Sequence, residues 1–392
     1  MRYVPQKHAA RSTDDYVFHQ LLPYLGSKRH LLELIGTALQ ATGCAPQRAT
    51  FVDAFAGSGV VSRYAKTKGF AVVANDWEPY SRVVTTAALL PDRTPAFTRL
   101  GGYAAALAHL NALDGVDGWV ATTLCPADDT APDPSCERLF YRRVTGRRID
   151  AIRQQIADWQ HDGTIDDVEA CCLLAPLLYQ ACWLANTSGV FKGFHAGWGG
   201  SNGTALHRIL ADLTLQPLVF APSGRAQTVM QHDALALPAT LTRNGTTVDV
   251  VYLDPPYNQH PYASNYHVLN SLVLWDRPTV PPPTERGHKA AIRRDWRERR
   301  SPFNSRRDAP EAFARLLDAF DARHLLISYS SDGMLPLTAL RELAATHGRV
   351  TVHERSYRRY RTSPTRPSPR PRNTEFVLHV DRGARGLSIS AP

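Results

Sequence analysis

The amino-acid sequence predicts an α/β protein built on a mostly parallel sheet with helices on both faces. Short strand-like runs alternate with segments of helical periodicity, a pattern typical of parallel sheets. A long helical block over residues 96–225 separates two groups of these strands. Two further strand-like runs close the chain, and they predict an antiparallel hairpin at the edge of the sheet.

The first elements begin or end at residues that favour turns. A helix predicted over residues 31–39 follows the turn-like sequence Gly26-Ser27-Lys28. The strand predicted over residues 50–55 is rich in β-branched and aromatic residues and breaks at a pair of glycines. The next strand, over residues 70–74, ends before an Asn-Asp pair.

The later elements follow from the same two periodicities. Apolar residues at helical spacing predict helices over residues 103–113, 136–160, 166–185 and 204–213. Strand-like runs occupy residues 227–231, 248–253, 323–329, 349–354 and 375–380. Prolines exclude central strands at residues 281–283 and 362–372, which we expect to be surface loops.

The charge of the chain is strongly basic and unevenly placed. Forty-five Lys and Arg against 36 Asp and Glu give a net charge of +9. Residues 286–307 hold nine Lys or Arg and two acids, and residues 355–372 hold seven Arg and no acid. Such an excess favours a polyanionic partner through counterion release, although a solvated basic surface has the same composition.

The cysteines and the apolar segments indicate a soluble, cytoplasmic protein. Six cysteines form no C-x-x-C pair and have no His at metal-ligand spacing, so we expect buried free thiols in a reducing compartment rather than a metal site. The N-terminus lacks the apolar core of a signal peptide. The longest apolar stretch, residues 171–185, is shorter than the ~20 residues that cross a bilayer.

A glycine turn follows the first predicted strand and indicates a ligand site. Gly57 and Gly59 come after Phe51-Val52-Asp53-Ala54-Phe55, at the end of a strand where parallel sheets bind ligands. Asp76 follows the next strand, where a carboxylate can accept both hydroxyls of a ribose. An ordinary tight turn is the competing interpretation. Because the chain shows neither a further G-x-x-G nor a G-K-[ST], a cofactor without phosphates, such as S-adenosylmethionine, fits better than a nucleotide.

The segment Tyr24-Leu25-Gly26-Ser27-Lys28 opens the first predicted helix. Lys28, close to free backbone N–H groups, forms a potential site for a carboxylate or a phosphate. A capped helix with a solvated lysine explains this segment equally well.

The sequence Asp254-Pro255-Pro256-Tyr257 follows the strand over residues 248–253 and forms a rigid shelf. It combines a carboxylate acceptor, carbonyls held by fixed proline φ angles, and an aromatic face for stacking. These groups suit a planar base whose exocyclic amine is to be attacked. A proline-stiffened strand end with a packed tyrosine is the structural alternative.

The order of these motifs resembles the Dam-like, alpha-group DNA adenine N6-methyltransferases. The matching blocks, separated by a long insert, are Y-L-G-S-K, D-A-F-A-G-S-G-V-V, N-D and L-D-P-P-Y. Residues 254–267 are similar to the version found in type IIS restriction-modification methyltransferases. The resemblance covers roughly residues 20–95 and 226–380 and includes Leu326-Ile-Ser-Tyr-Ser330 and Asn373-Thr-Glu-Phe-Val377. It implies a Rossmann-like, S-adenosylmethionine-dependent methyltransferase sheet divided as follows: residues 15–95, first catalytic and cofactor-binding part; residues 96–225, helical target-recognition insert; residues 226–385, second catalytic part.

The resemblance also implies roles for individual residues. The methionine moiety and nearby parts of the cofactor would contact Tyr24, Gly26, Lys28, Asp53, Phe55, Gly57 and Gly59. Asp76 would bind the ribose hydroxyls, and Asp233 would bind the amino group of the cofactor's adenine. A helix cap is the alternative for Asp233, and the two roles are compatible.

The catalytic group would be Asp254, Pro255, Pro256 and Tyr257. An adenine amine is a poor nucleophile because its lone pair is delocalised into the ring. Hydrogen bonds to the Asp254 carboxylate and the Pro255 carbonyl would localise that lone pair and stabilise the positive charge that develops on nitrogen. Tyr257 would stack on the extruded base.

We expect DNA contacts in the insert and in the basic segments. Lys192 lies in a glycine- and aromatic-rich segment, residues 186–202, that could approach phosphates or pack as a long turn. Arg293 and Arg294 belong to the basic segment of residues 286–307, which we predict to close over nucleic acid. Arg358 belongs to the basic run in the terminal hairpin, for which a solvated loop is the alternative. Two interpretations stay open for four arginines of the insert: a face that contacts DNA, or a charged helix surface that is only solvated. They are Arg142, Arg143, Arg147 and Arg148.

The sequence therefore predicts methyl transfer from S-adenosylmethionine to adenine in double-stranded DNA. An RNA adenine or DNA cytosine N4 methyltransferase would need a similar shelf, and a non-catalytic nucleic-acid-binding relative would keep the fold. We expect no metal and no membrane association. A cognate restriction endonuclease is a candidate functional partner, and we expect a monomer.

Overall fold

The computed structural model describes residues 13–200, 203–358 and 372–383, and within them a seven-stranded sheet forms the centre of the protein. The strands are β1 (Thr50–Asp53), β2 (Ala71–Asn75), β3 (Thr228–Met230), β4 (Val248–Leu253), β5 (Ala322–Ser330), β6 (Arg349–Arg358) and β7 (Arg372–Asp381). Their order is β3-β2-β1-β4-β5-β7-β6. The first five strands in this order are parallel, β7 is antiparallel to β5, and β6 pairs antiparallel with β7. The predicted fold class and terminal hairpin are confirmed.

Fourteen α-helices lie within the described residues. They are α1 (Thr13–Phe18), α2 (Leu32–Ala41), α3 (Val60–Lys68), α4 (Pro79–Leu89), α5 (Tyr103–Ala112), α6 (Trp119–Leu124), α7 (Arg143–His161), α8 (Asp167–Trp183), α9 (Leu206–Ile209), α10 (Leu237–Arg243), α11 (Tyr262–Asn265), α12 (His267–Leu274), α13 (Ala309–Ala319) and α14 (Leu337–Ala345). Short 3₁₀ turns occupy Lys28–His30, Pro46–Arg48, Thr98–Leu100, Arg294–Arg297 and Pro302–Asn304.

The sheet is buried on both faces. Successive residues of a strand point to opposite faces, so neighbouring strand residues belong to different cores. Phe51 and Val250 belong to a core that includes residues of α2 and α3. Their neighbours Val52 and Val251 belong to a second core with residues of α10, α13 and α14. Helices therefore cover both faces of the sheet, as the sequence predicts.

The parallel arrangement gathers the polar turns at one edge of the sheet. Strand β1 lies between β2 and β4. The glycine turn after β1, Asp76 after β2 and Asp254 after β4 therefore share the carboxyl end of the sheet. This is the edge where open α/β sheets bind ligands.

The helices within residues 96–225 pack onto helices that flank the sheet through one continuous apolar core. That core includes residues of α5 to α8 together with residues of α4 and of α12, the helix that follows the Asp254 tetrapeptide. The apolar stretch of residues 171–185 forms most of α8 and is buried in this core. Within the described residues, no helix has both the length and the apolar character needed to span a bilayer. All six cysteines are free thiols.

The helix predicted over residues 136–160 is correct only from Arg143 onward. Leu139, Phe140 and Tyr141 are all fully buried, and three consecutive residues cannot all lie on one face of a helix. Phe140 instead donates its N–H to the Leu124 carbonyl, and its own carbonyl accepts the N–H of Asn186. Tertiary backbone contacts therefore replace the first turns of the predicted helix.

The helix predicted over residues 204–213 is also wrong over most of its length. Only Leu206–Ile209 is helical. The guanidinium of Arg142 donates to the carbonyls of Ile209 and Leu210, at 3.1 Å each. Capture of these carbonyls by a distant side chain ends the helix after one turn.

Candidate active site

A cleft at the carboxyl end of the sheet contains most of the side chains that the sequence motifs predict. Its empty volume, open solvent included, is about 840 Å³. The predicted residues that line it are Tyr24, Gly26, Lys28, Asp53, Phe55, Gly57, Asp76, Asp233, Asp254 and Pro256. The other three predicted residues of these motifs, Gly59, Pro255 and Tyr257, are adjacent in the chain to this lining. We call this space the cofactor cavity, after the cofactor that the sequence motifs predict.

The segment that opens the first helix is clamped by the residues after the Asp254 tetrapeptide. The backbone N–H of Leu25 donates to the Tyr266 hydroxyl at 2.7 Å, and the Tyr262 hydroxyl donates to the Leu25 carbonyl at 3.1 Å. The Tyr24 ring stacks on both tyrosines, with centroids 5.2 Å from Tyr262 and 4.9 Å from Tyr266. Gly26 has φ +81°, and a Cβ there would lie 3.0 Å from the Tyr262 hydroxyl. This close approach requires glycine.

Backbone donors hold the Asp76 carboxylate in place. Gly57 N–H donates to Oδ2 at 2.7 Å, and Glu78 N–H donates to Oδ1 at 2.9 Å. Gly57 adopts φ +53°, and a Cβ would lie 3.0 Å from the Tyr24 ring. Burial raises the pKa of Asp76, and the backbone hydrogen bonds oppose that shift. The glycine turn therefore orients a carboxylate on the cofactor cavity, and the ribose contact of Asp76 stays a prediction.

Asp53 presents a buried oxygen that has no partner. Its side chain is 1% exposed, and Oδ2 accepts a hydrogen bond from the Ser62 hydroxyl at 2.6 Å. Oδ1 has no well-formed hydrogen bond among the described residues, although the backbone N–H of Phe55 is close enough to the carboxylate to lower its pKa. Burial raises the pKa of Asp53 to about 7, although the Ser62 hydrogen bond lowers it. A buried acceptor without a donor is costly, so its place on the cavity indicates that a ligand supplies the donor.

Lys28 forms an ion pair with the predicted catalytic carboxylate. Lys28 Nζ lies 2.9 Å from Asp254 Oδ1 and 5.1 Å from the centre of the Tyr257 ring. Burial raises the pKa of Asp254, and the Lys28 charge opposes that shift. Burial lowers the pKa of Lys28, but Asp254 more than reverses this, so the pKa lies above its ordinary value. The structure thus brings Lys28 to the tetrapeptide, whereas the family resemblance assigned it to the cofactor.

Contacts of Tyr257 and of the residue that follows it hold the Asp254 tetrapeptide in place. The Tyr257 carbonyl accepts the N–H of Met334 at 3.1 Å, and the Tyr257 ring meets Tyr329 edge to face with centroids 5.6 Å apart. The following carbonyl, of Asn258, accepts the side-chain amide of Asn304 at 2.7 Å. These contacts hold the tetrapeptide in a defined geometry.

Gly59 and Asp233 contribute to the turns that border the cofactor cavity. Gly59 has φ +77°, and a Cβ there would lie 3.0 Å from a methyl of Thr85, so this glycine allows α3 to begin close to α4. Asp233 Oδ1 accepts the N–H of Leu235 at 3.0 Å in the turn that leads into α10. Because Asp233 also lines the cavity, its turn-forming role is compatible with contact to a cofactor.

Sequence reasoning did not assign several residues that line the cofactor cavity. They are Ser27, Trp77, Glu78, His232, Tyr262, Arg299, Ser301 and Asn304, among others. Glu78 had one indication in the sequence, because this residue directly precedes the proline that begins α4. Arg299, Ser301 and Asn304 had none, because they come from the basic segment predicted to bind DNA.

The segment of residues 186–200 is an ordered turn packed on the insert. Asn186 is buried, and its side-chain amide donates to the carbonyls of Leu139 and His195. Its Oδ1 accepts the N–H of Gly199 at 3.2 Å. Lys192 is half-buried, and burial lowers its pKa. The packed-turn alternative therefore describes this segment, while DNA contact by Lys192 stays a prediction.

The two arginines predicted in the basic segment differ in their surroundings. Arg293 is 8% exposed and forms ion pairs with Asp276 at 2.6 Å and Asp295 at 3.1 Å. Arg294 is exposed to solvent. Arg358 is the last residue of β6, and its side chain lies outside the described part of the structure. In this conformation, Arg293 is engaged within the protein and Arg294 is accessible to DNA.

The insert arginines are likewise engaged within the protein. Arg143 pairs with Asp117 at 2.7 Å, and Arg148 donates to the Asn111 carbonyl at 2.9 Å. Arg147 donates to the Gly115 carbonyl at 3.1 Å. Together with Arg142, these side chains join α7 to neighbouring loops of the insert. Neither a DNA face nor a solvated helix surface had included these contacts within the protein.

Comparison with known proteins identifies the family. The sequence profile of the D12 class N6 adenine-specific DNA methyltransferases matches residues 24–304. The type II methyltransferase M.NlaIII of Neisseria lactamica is 30% identical over 359 residues, which cover 91% of this chain and 98% of that protein. M.FokI of Planomicrobium okeanokoites, also a type II methyltransferase, is 26% identical over 86% of this chain and 50% of its own length. The modification methylase StsI of Streptococcus sanguinis is 26% identical over 86% of this chain and 49% of its own length.

The matched segment contains nearly all of the cofactor cavity. It begins at Tyr24, includes the tetrapeptide from Asp254 and ends at Asn304, which borders the same cavity. The resemblance drawn from the motifs is confirmed, and the match favours adenine in DNA over the RNA and cytosine alternatives. The chain belongs to the D12 class of N6 adenine-specific DNA methyltransferases, and its relatives are type II modification enzymes.

Proposed function

We propose that this enzyme transfers a methyl group from S-adenosylmethionine to the N6 amine of an adenine flipped out of double-stranded DNA. The observation that carries this proposal is the cofactor cavity. It combines the Asp254 shelf with buried, unpartnered polar atoms at the carboxyl end of the sheet. A site of this kind accommodates both a polar cofactor and a planar base.

The residues of the cofactor cavity fit the polar groups of S-adenosylmethionine. Asp53 Oδ1 and Ser27 Oγ are buried there without hydrogen-bond partners among the described residues. Asp53 would accept a hydrogen bond from the amino group of the methionine moiety, and the Ser27 hydroxyl would donate a hydrogen bond to an acceptor on the cofactor. Asp76 would accept the ribose hydroxyls, and Asp233 the amine of the cofactor's adenine. The remaining predicted contacts come from Tyr24, Gly26, Phe55, Gly57 and Gly59.

When bound, the cofactor would supply a methyl group on a sulfonium. The N–C bond would form as the C–S bond breaks, a thioether would leave, and the methylated nitrogen would lose one proton to solvent. The protein must therefore activate the nitrogen. Asp254 and the Pro255 carbonyl accept the two N–H groups of the amine and stabilise the charge that develops on it. Tyr257 stacks on the base, and Pro256 keeps the shelf rigid.

Lys28 has a role in this scheme beyond the one the resemblance implied. The ionised form of Asp254 is the stronger acceptor for an amine N–H and the form that stabilises positive charge on nitrogen, whereas burial favours the protonated form. The Lys28 ammonium at 2.9 Å opposes that effect. We propose that Lys28 keeps Asp254 ionised before the base enters. A contact of Lys28 with the methionine carboxylate remains the alternative.

The DNA substrate accounts for the basic character of the chain. The net charge of +9 favours association with phosphates. We propose phosphate contacts from Lys192, Arg294 and Arg358, and target recognition by the helical insert, residues 96–225, between the two catalytic parts, residues 15–95 and 226–385. A monomer acting in the cytoplasm, with a cognate restriction endonuclease as functional partner, completes the proposal.

Nucleoside analysis after turnover tests the proposal. Purified enzyme is incubated with S-adenosylmethionine and unmethylated duplex DNA, and the DNA is digested to nucleosides for mass spectrometry. We expect N6-methyldeoxyadenosine. Methylated cytosine would contradict the assigned base, and methylation of RNA but not of DNA would contradict the substrate. Binding of the cofactor without transfer to any nucleic acid would support a non-catalytic relative.

A further inference from the structure

The basic segment contributes a wall of the cofactor cavity. Arg299, Ser301 and Asn304 all line this cavity together with the predicted cofactor residues. We infer that Arg299 is a cofactor-binding residue that donates hydrogen bonds to the nucleoside half of the cofactor, and that Glu78 positions it. This inference rests on the proposed function, because it assumes that S-adenosylmethionine occupies the cavity.

The wall is attached to the catalytic domain on both sides of Arg299. On one side, Arg293 is held by Asp276 and Asp295. On the other side, Asn304 binds the Asn258 carbonyl at 2.7 Å, and the buried Phe303 ring meets Phe55 edge to face at 5.5 Å. Contacts with the rest of the protein therefore hold this segment against the cavity.

Arg299 has a buried donor that the protein does not satisfy. Its Nη2 lies 3.3 Å from Asp295 Oδ2, and its side chain is 17% exposed. Its Nε is buried and has no hydrogen-bond partner among the described residues, with Glu78 Oε1 at 4.0 Å. An unsatisfied guanidinium donor on a cavity indicates an acceptor on the ligand.

Glu78 identifies which half of the cofactor Arg299 meets. Its backbone N–H donates to Asp76 Oδ1, the carboxylate assigned to the ribose. Its side chain is buried and accepts the Asn270 amide at 2.6 Å, which connects this turn to α12. Because Glu78 also lies beside Arg299, the guanidinium is at the ribose end of the cavity. Ribose oxygens and purine ring nitrogens are the acceptors available there.

Calorimetric titration without DNA tests the inference with two ligands. S-adenosylhomocysteine contains both halves of the cofactor, and 5′-methylthioadenosine lacks the amino-acid half. We expect Arg299→Ala to weaken binding of both ligands by about tenfold or more, the effect typical of a lost hydrogen bond from a charged donor. Arg297→Ala is the matched control, because Arg297 is an exposed arginine of the same segment. Its affinities should equal those of the wild type.

The outcomes separate the inference from the proposed function. Failure of the wild type to bind S-adenosylhomocysteine would contradict the proposed function itself. Binding by the wild type with equal affinities of Arg299→Ala and Arg297→Ala would overturn the inference. Loss of affinity for S-adenosylhomocysteine alone would place Arg299 at the amino-acid half and would likewise overturn it.

Two further measurements exclude indirect effects. The salt dependence of DNA binding should be the same in Arg299→Ala and wild type, whereas a phosphate contact would lower the slope by about one unit. If Arg299→Ala melts below the wild type, Arg299→Lys replaces it, because lysine keeps the charge but lacks the planar fork of donors. Arg299→Lys should then weaken both ligands several-fold, and wild-type affinities would overturn the inference.

Discussion

The carboxyl end of the sheet and the basic surfaces of the chain use charged residues in opposite ways. At the sheet edge, Asp53 Oδ1 and the Nε of Arg299, which the basic segment contributes, are buried without a hydrogen bond on residues that line the cavity, although Arg299 Nη2 also pairs with Asp295. In the insert and the basic segment, Arg143 and Arg293 are engaged with acids of the protein itself. Buried polar atoms without hydrogen bonds indicate a ligand site only where they also belong to residues that line a cavity, while a high count of arginines does not by itself indicate a DNA surface. Substitutions at six positions test this difference.

Replacement of Asp254 should have the largest effect. Asp254→Ala removes the acceptor that activates the amine, and we expect the rate of methyl transfer to fall by about 10³-fold, a magnitude seen when a preorganised electrostatic contact is deleted. Affinity for S-adenosylhomocysteine should change little. Single-turnover kinetics and calorimetry measure the two quantities separately. Substantial turnover by the variant would remove Asp254 from the mechanism.

Asp53 should control cofactor affinity in a pH-dependent manner. Burial raises its pKa to about 7, so the carboxyl becomes ionised as the pH rises from about 6 to about 7.5. Only the ionised form pairs with an ammonium, so affinity for S-adenosylmethionine should increase over this window. Asp53→Asn should weaken binding about 10- to 100-fold and remove this pH dependence.

Ser62→Ala provides a graded control for Asp53. The Ser62 hydroxyl lowers the pKa of Asp53, so its removal should move the rise in affinity to higher pH. An affinity that is independent of pH in the wild type would show that Asp53 does not contact the amino group.

Lys28 should affect the pH dependence of catalysis more than the maximal rate. The Lys28 charge lowers the pKa of Asp254, so Lys28→Met should raise that pKa and move the acid limb of the transfer rate to higher pH. Near neutral pH we expect a lower transfer rate, because a larger fraction of Asp254 is protonated once the Lys28 charge is removed. Lys28→Arg keeps the charge and should retain the wild-type profile. A loss of cofactor affinity with an unchanged pH profile would favour the methionine carboxylate as the partner of Lys28.

The arginines of the basic segment should give the smallest effects on activity and should differ from each other. Arg294 is exposed, so Arg294→Ala should lower the salt dependence of DNA binding by about one unit without changing stability. Arg293→Ala removes a largely buried partner of Asp276 and Asp295 and should lower the free energy of unfolding by about 1–3 kcal/mol. Thermal melting and DNA titrations at several salt concentrations distinguish the two. The reverse pattern would contradict the comparison between buried and exposed charges.

The sequence by itself determined the sheet and the order of the motifs. Strand β4, Val248–Leu253, has the bounds that its apolar run predicts, because strand formation depends on a local pattern. Asp53, Asp76 and Asp254 each follow or end a parallel strand, so their shared location at one sheet edge follows from the topology alone. The same motifs were sufficient to identify the methyltransferase family.

Only the tertiary structure decided which charged groups meet. Lys28 and Asp254 are far apart in the chain, and their ion pair results from the clamp of Tyr262 and Tyr266 on the first motif. The place of Arg299 in the cofactor cavity likewise depends on how the basic segment packs after the tetrapeptide. Local periodicity carries no information about such partners, because hydrogen bonds and ion pairs between distant segments are made only when the core has packed.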